Sequence, residues 1–215
     1  MASLEELEAL EKSENGTKVK MFDLTDDVIV QGEYSIGEWS SLDPQEMPPE
    51  CRSPRTIRTF GVGPCVVLAL HNDYNFRGAL FHIDSVGQLN RRIREPIAYA
   101  TKLLTSHTQN DRFQGKPPKK PKAKLIGGIN NTDSKRTVVG IHECLRPEGI
   151  EIEGQRILQN QVYYIVFDLF TGKLFSYNPQ IDQQREDFKG RLLAAQINLS
   201  YGNPLVNIAP QRRID

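Results

Sequence analysis

Two side chains able to do nucleophilic chemistry stand seventeen positions apart, Cys65 at the end of TFGVGPC (59–65) and His82 in FHIDS (81–85). A free thiol titrates near about 8.5, so only a few per cent is thiolate at neutral pH. A neighbouring imidazole that accepts the proton raises that fraction and makes the sulfur a nucleophile for acyl transfer. A third group normally orients the imidazole. Thr59, at the end of the preceding stretch, carries a hydroxyl that can bond a ring nitrogen. Gly61 and Gly63 permit a tight bend ahead of Cys65 and can expose backbone N–H groups toward an oxyanion; Pro64 has no N–H to give.

Whether cysteine and histidine meet depends on the elements that carry them. CVVLALH (65–71) has the unbroken apolar character of a buried strand, GALFHID (78–84) reads as a second strand, and HNDYNFRG (71–78) reads as the reversal between them. In such a hairpin a loop of two or four residues makes the positions of paired residues sum to an odd number, and 65 plus 82 is odd, so both side chains share a face. With Asp73 and Tyr74 as the central turn residues, Cys65 opposes His82 at about 4.5–5.5 Å between Cβ atoms. A register wider by two makes them diagonal neighbours at about 7–8 Å. A loop of three or five residues without a bulge would put them on opposite faces. Spacing alone leaves a plainer reading ahead: a cysteine opening CVVLAL as a small core residue, and a strand histidine as a satisfied polar group. Cys144, on the apolar side of a helix, reads as core; Cys51, His71, His107 and His142 have no partner pattern.

The other elements frame this hairpin. LEELEALEK (4–12) has helical spacing that breaks after two or three turns, and DDVIVQGEYSI (26–36) alternates as one strand. LDPQEMPPECRSPR (42–55) reads as an irregular proline-rich loop, and Thr56–Phe60 as a strand. Pro96 suits the first turn of a helix that places Ile97, Ala100 and Leu104 on one face and ends near Thr108. AKLIGG (123–128) reads as a strand, followed by a helix capped at Asp133 or Ser134 that carries Val138, Ile141 and Leu145 inward until Pro147 and Gly149. EGIEIEG and QVYYIVFDLFTGKLFSYN supply three more strands, the last two joined around Thr171 and Gly172, and a short helix is expected around Phe188–Gln196. This order predicts an α/β (α+β) layered sandwich, a mixed β-sheet core with helices packed outside. The domain reading is an N-terminal extension over 1–54 with one strand, a catalytic-type domain over 55–178, and a C-terminal extension over 179–215.

Composition narrows the function classes. Lys plus Arg and Asp plus Glu both number 27, so no overall field favours nucleic acid or an anionic membrane. The N-terminus is acidic and lacks an apolar leader, and nowhere do eighteen apolar residues run together, so no membrane span is expected. A soluble cytoplasmic protein is the expectation, with delivery into another cell left open. Three cysteines at wide spacing argue against a disulfide framework or a zinc site, and no metal or organic cofactor is expected. QGKPPKKPKAK (114–124) holds five lysines and three prolines and reads as a solvated loop. Residues 116–124 offer a docking patch for an acidic protein partner; without interleaved aromatics they do not suit nucleic acid.

Thr59, Cys65 and His82, followed by AKLIGGI (123–129), VVGIHECL (138–145), EGIEIEG and FDLFTGKLF, resemble the ordered motifs of the CheD family of chemoreceptor glutamine deamidases. The resemblance spans about 55–176. The HID of His82–Asp84 is also similar to the protein N-terminal asparagine amidohydrolases, and toxin deamidases form a looser third branch. The resemblance implies amide hydrolysis by Cys65 with His82 as base and Thr59 as its orienting group, and Gly127, Gly128 and Asp84 as substrate-binding positions. The expected reaction is deamidation of a carboxamide side chain in a protein substrate, glutamine first. N-terminal asparagine amidohydrolysis and an inactive binding module using the same cleft stay open as alternatives.

Overall fold

The computed structural model of the chain describes residues 27–38, 56–84, 89–106, 119–176 and 205–208. The expected helices at 4–12 and 188–196, Cys51 and the whole proline-rich loop 42–55 around it lie outside the described residues. Ten strands and two helices follow in chain order: β1 (Asp27–Ile29), β2 (Glu33–Glu38), β3 (Thr56–Val62), β4 (Val66–Asn72), β5 (Arg77–Ile83), α1 (Leu89–Thr105), β6 (Lys122–Gly127), α2 (Thr132–Glu148), β7 (Glu151–Ile157), β8 (Tyr163–Asp168), β9 (Leu174–Ser176) and β10 (Val206–Asn207). Among the described residues, no helix is long and apolar enough to cross a membrane.

The strands form two mixed sheets. One has the order β10-β2-β5-β4-β6-β7 and the other β1-β3-β8-β9. β4 and β5 lie in the middle of the larger sheet, where both faces must be covered, so their residues are buried almost throughout. One face carries Leu68, Leu70, Phe81 and Ile83 against the apolar stripes of α1 and α2. The opposite face carries Cys65, Val67, Ala69 and Leu80 against Ile57, Ile165 and Phe167 of the smaller sheet. The layers are therefore helices, large sheet, small sheet, which agrees with the expected α+β sandwich and resolves its sheet core into two.

Local sequence explains most elements and some departures from expectation. DDVIVQGEYSI is two strands rather than one, because a tight turn at Gln31–Gly32, with Gly32 at φ 83°, breaks it. The halves join different sheets: β1 pairs in parallel with β3, and β2 pairs antiparallel with β5. Residues expected as an extension thus supply strands to both layers, and β10 near the C-terminus adds to the edge of β2. α1 begins at Leu89, well before Pro96, which sits inside the helix. Ile93 is fully buried in line with Ile97, Ala100 and Leu104. Extending the apolar stripe by a turn offsets the hydrogen bond that proline removes. α2 is capped by Asn131, whose side chain accepts from the Ser134 N–H, and ends at Gly149 in the left-handed region. Cys144 is buried in the helix-facing core, as expected.

The two cores set unequal mutational costs. Phe167 is fully buried between the sheets, whereas Val139 on α2 is 56% exposed. Phe167→Ala is expected to lower unfolding free energy by about 3–5 kcal/mol. Val139→Ala is expected to stay within about 0.5 kcal/mol. Urea titration of the two variants followed by circular dichroism checks this, and equal midpoints would contradict the placement of Phe167.

Candidate active site

The β4–β5 hairpin settles the register question left by the sequence. Asn72 pairs with Arg77 across a four-residue loop, Asp73–Phe76, and Val67 pairs with His82. This is the wider of the two even-loop registers. Cys65, one residue before β4, is therefore a diagonal neighbour of His82 on the same face, and continuing the ladder places it opposite Asp84. The loop is held open by its asparagines. Asn72 Oδ1 accepts from the Tyr74 N–H, and the Nδ2 groups of Asn72 and Asn75 both donate to the Leu104 carbonyl at the end of α1. Those bonds anchor a four-residue reversal that a two-residue turn could not supply.

Thr59 enters from the other sheet. β3 carries a bulge between Thr59 and Val62, at Phe60–Gly61, with Gly61 at φ 69°. The extra residue lets Ile57, Thr59 and Val62 all face the inter-sheet core, although strict alternation would turn Val62 outward. Thr59 Oγ1 lies 2.7 Å from His82 Nδ1 and donates to the Ile29 carbonyl at 3.0 Å. Thr59 and His82, 23 positions apart in sequence, are thus brought into hydrogen-bonding contact. His82 Nε2 is buried with no hydrogen-bond partner among the described residues, so Cys65 Sγ is not bonded to it.

Burial decides the protonation of both groups. Burial pulls the His82 imidazole from 6.5 down to about 4, so the ring is neutral at neutral pH. Burial first, and then the Asp84 carboxylate, push the Cys65 thiol up to about 12, partly offset by its own backbone N–H. The resting pair is a neutral thiol and a neutral imidazole. The expected rise in thiolate fraction does not occur in this arrangement, because an uncharged, diagonally placed ring gives the sulfur no cation.

The remaining expected site residues surround Cys65. The Cys65 carbonyl accepts from the Gly128 N–H at 2.7 Å, and the Pro64 carbonyl accepts from Ser134 Oγ at 2.8 Å. Gly127 sits at φ 102°, and a Cβ there would lie 2.5 Å from the Cys65 carbonyl oxygen, so only glycine fits. Gly127 and Gly128 therefore seat the Cys65 backbone. Asp84 is 1% exposed on the Cys65 face. The Gly63 N–H is engaged by the Gly61 carbonyl, which removes one of the expected oxyanion donors. Three residues missed by the sequence reading also matter: Ile29 and Ser134 through the bonds above, and Gly32, whose N–H donates to the His82 carbonyl at 2.9 Å. No residue pattern marks a backbone carbonyl thirty positions away as part of a site.

The lysine stretch is tied to its own fold where it is described. Lys120 Nζ donates to the Glu148 carbonyl at the end of α2, and Lys122 and Lys124 both pair with Glu153.

Neutral His82 ties stability to acid. An unfolded chain protonates the ring near 6.5, while the folded one refuses the proton down to about 4. Stability from the neutral ring is thus present above pH 6.5 and lost as pH falls toward 4, by about 3 kcal/mol. Urea unfolding of wild type and His82→Gln across this window is expected to show that extra loss in wild type alone; parallel curves would contradict a buried neutral ring.

No protein-family model matches the chain. Two curated relatives do. A probable chemoreceptor glutamine deamidase CheD of Methanosarcina barkeri is 31% identical over 90 residues, 41% of this chain and 60% of the relative. The chemoreceptor glutamine deamidase CheD of Thermotoga maritima is 25% identical over 132 residues, 57% of this chain and 82% of the relative. The chain thus spans about three fifths of the length of the archaeal protein. Both relatives carry the name of the family that the ordered motifs of 55–176 resemble, and the chain is CheD-like in sequence.

Proposed function

We propose that the protein is a cysteine amidohydrolase that deamidates a carboxamide side chain of a protein substrate, glutamine to glutamate with release of ammonia. The observation that carries this reading is the Thr59–His82 hydrogen bond, which leaves Nε2 open on the face where Cys65 lies. The two deamidase relatives support the same chemistry.

With both partners neutral, the mechanism is general-base assisted attack and not reaction of a preformed thiolate. Cys65 Sγ bonds to the amide carbon as its proton passes to His82 Nε2. The tetrahedral intermediate then expels nitrogen, which takes that proton from His82 and leaves as ammonia, giving a thioester. His82 removes a proton from water as it attacks the thioester carbon, the C–S bond breaks, and the proton returns to sulfur. The diagonal placement requires the Cys65 side chain to turn toward Nε2 as substrate enters. Cys65 is 3% exposed, so entry also requires the cover over the sulfur to move. Cys65→Ala is expected to abolish ammonia release, and His82→Ala to reduce it by about 10²–10⁴. The readout is a gain of about one dalton on a single substrate residue, a mass change that follows from replacing NH₂ by OH. Deamidation by Cys65→Ala at the wild-type rate would sink the assignment.

Asp84 favours a second reading. A carboxylate on the Cys65 face makes the thiol harder to ionise, a cost that a cationic substrate group would relieve. The α-ammonium of an N-terminal residue is such a group, so removal of the amide from an N-terminal asparagine is the competing reaction. Peptides with free and acetylated N-terminal asparagine, and peptides with internal glutamine, separate the readings. If the amine is recognised, only the free N-terminal peptide turns over, and Asp84→Asn raises its KM. Turnover of internal glutamine unaffected by Asp84→Asn excludes the second reading.

A further inference from the structure

We propose that the turn joining β1 to β2 selects the tautomer of His82, with Glu33 as a positioning residue that holds the turn closed. This rests on the reading of His82 as general base and names what prepares it.

A threonine hydroxyl has one proton to donate. Thr59 Oγ1 has two polar neighbours: the Ile29 carbonyl at 3.0 Å, which can only accept, and His82 Nδ1 at 2.7 Å. Both contacts are hydrogen bonds only if the hydroxyl proton goes to Ile29 and Nδ1–H donates to Oγ1. The lone pair of the neutral ring then lies on Nε2, the atom without a partner among the described residues. If the Ile29 carbonyl moved away, Thr59 could donate to Nδ1 instead. The proton would then sit on Nε2, and the base would be spent.

The turn keeps Ile29 in place. The Glu33 N–H donates to the Val30 carbonyl at 3.0 Å, closing a four-residue turn whose third residue, Gly32, has φ 83°, as a type II turn requires. Glu33, 6% exposed, returns its carboxylate to the same residue, where Oε2 accepts from the Val30 N–H at 2.9 Å. Glu33 and Val30 thus bond reciprocally, adjacent to Ile29. At the tip the Gly32 N–H donates to the His82 carbonyl at 2.9 Å. The turn therefore touches His82 through Gly32 and anchors the end of β1, whose last residue, Ile29, lies opposite Thr59 of β3, where the chain crosses from the small sheet to the large one.

Nitrogen NMR of the full chain labelled at histidine, at neutral pH, reads the tautomer directly, with His82→Gln assigning the signal. The wild type is expected to show protonated Nδ1 and bare Nε2. Glu33→Ala is expected to convert part of the signal to the other tautomer and to lower kcat for ammonia release roughly tenfold or more with KM little changed. Glu33→Gln keeps an acceptor for the Val30 N–H and is expected to restore both. A wild type with protonated Nε2, or a folded Glu33→Ala with an unaltered ring signal, overturns the proposal. If Glu33→Ala does not fold, Thr59→Val answers the same question, since removing the hydroxyl must release the tautomer. The ring signal stands whether or not the protein proves to be a deamidase, so the two ideas fail separately.

Discussion

A hydrogen bond between Thr59 and His82 joins the two sheets across a largely apolar interface, and its 2.7 Å length constrains much of the structure around it. A buried imidazole is tolerated only when neutral, and a neutral ring has one donor and one acceptor to satisfy. Bonding one nitrogen fixes the ring plane and leaves the other available. To hold the two sheets at that separation the fold uses a bulge in β3, a tight turn between β1 and β2, and the packed layer of Ile57, Ile165 and Phe167.

The same burial that sharpens the geometry suppresses reactivity at rest. A thiol pushed up to about 12 and an imidazole pulled down to about 4 do not form an ion pair. In a low-dielectric space between sheets, separating their charges is favourable only when the developing charge has somewhere to go.

The Cys65 backbone is held from the helix side. The Gly128 N–H and the Ser134 hydroxyl grip consecutive carbonyls, Cys65 and Pro64, so the strand–loop junction before β4 is tied to the start of α2. Gly127 permits this approach because no side chain separates it from the Cys65 carbonyl. The paired glycines of AKLIGG thus meet Cys65 through its main chain.

The sequence by itself determined the hairpin, restricted Cys65 and His82 to a common face for any even loop, and offered Thr59 as a candidate partner. Two-residue periodicity converts an odd sum of positions into a common face, and a motif in family order supplied the third member. It also determined the helical stripes and the core placement of Cys144, because apolar spacing reports burial directly. Which of the two registers applies was decided by Asn72 and Asn75 bonding to the end of α1, a contact between elements some thirty residues apart. Tertiary structure alone brought Ile29 to Thr59 and Gly32 to His82, since backbone carbonyls and N–H groups carry no sequence signature. The protonation of the pair was likewise undecidable from residue types, because a cysteine and a histidine become a neutral pair or an ion pair according to how much water and charge the folded chain leaves around them.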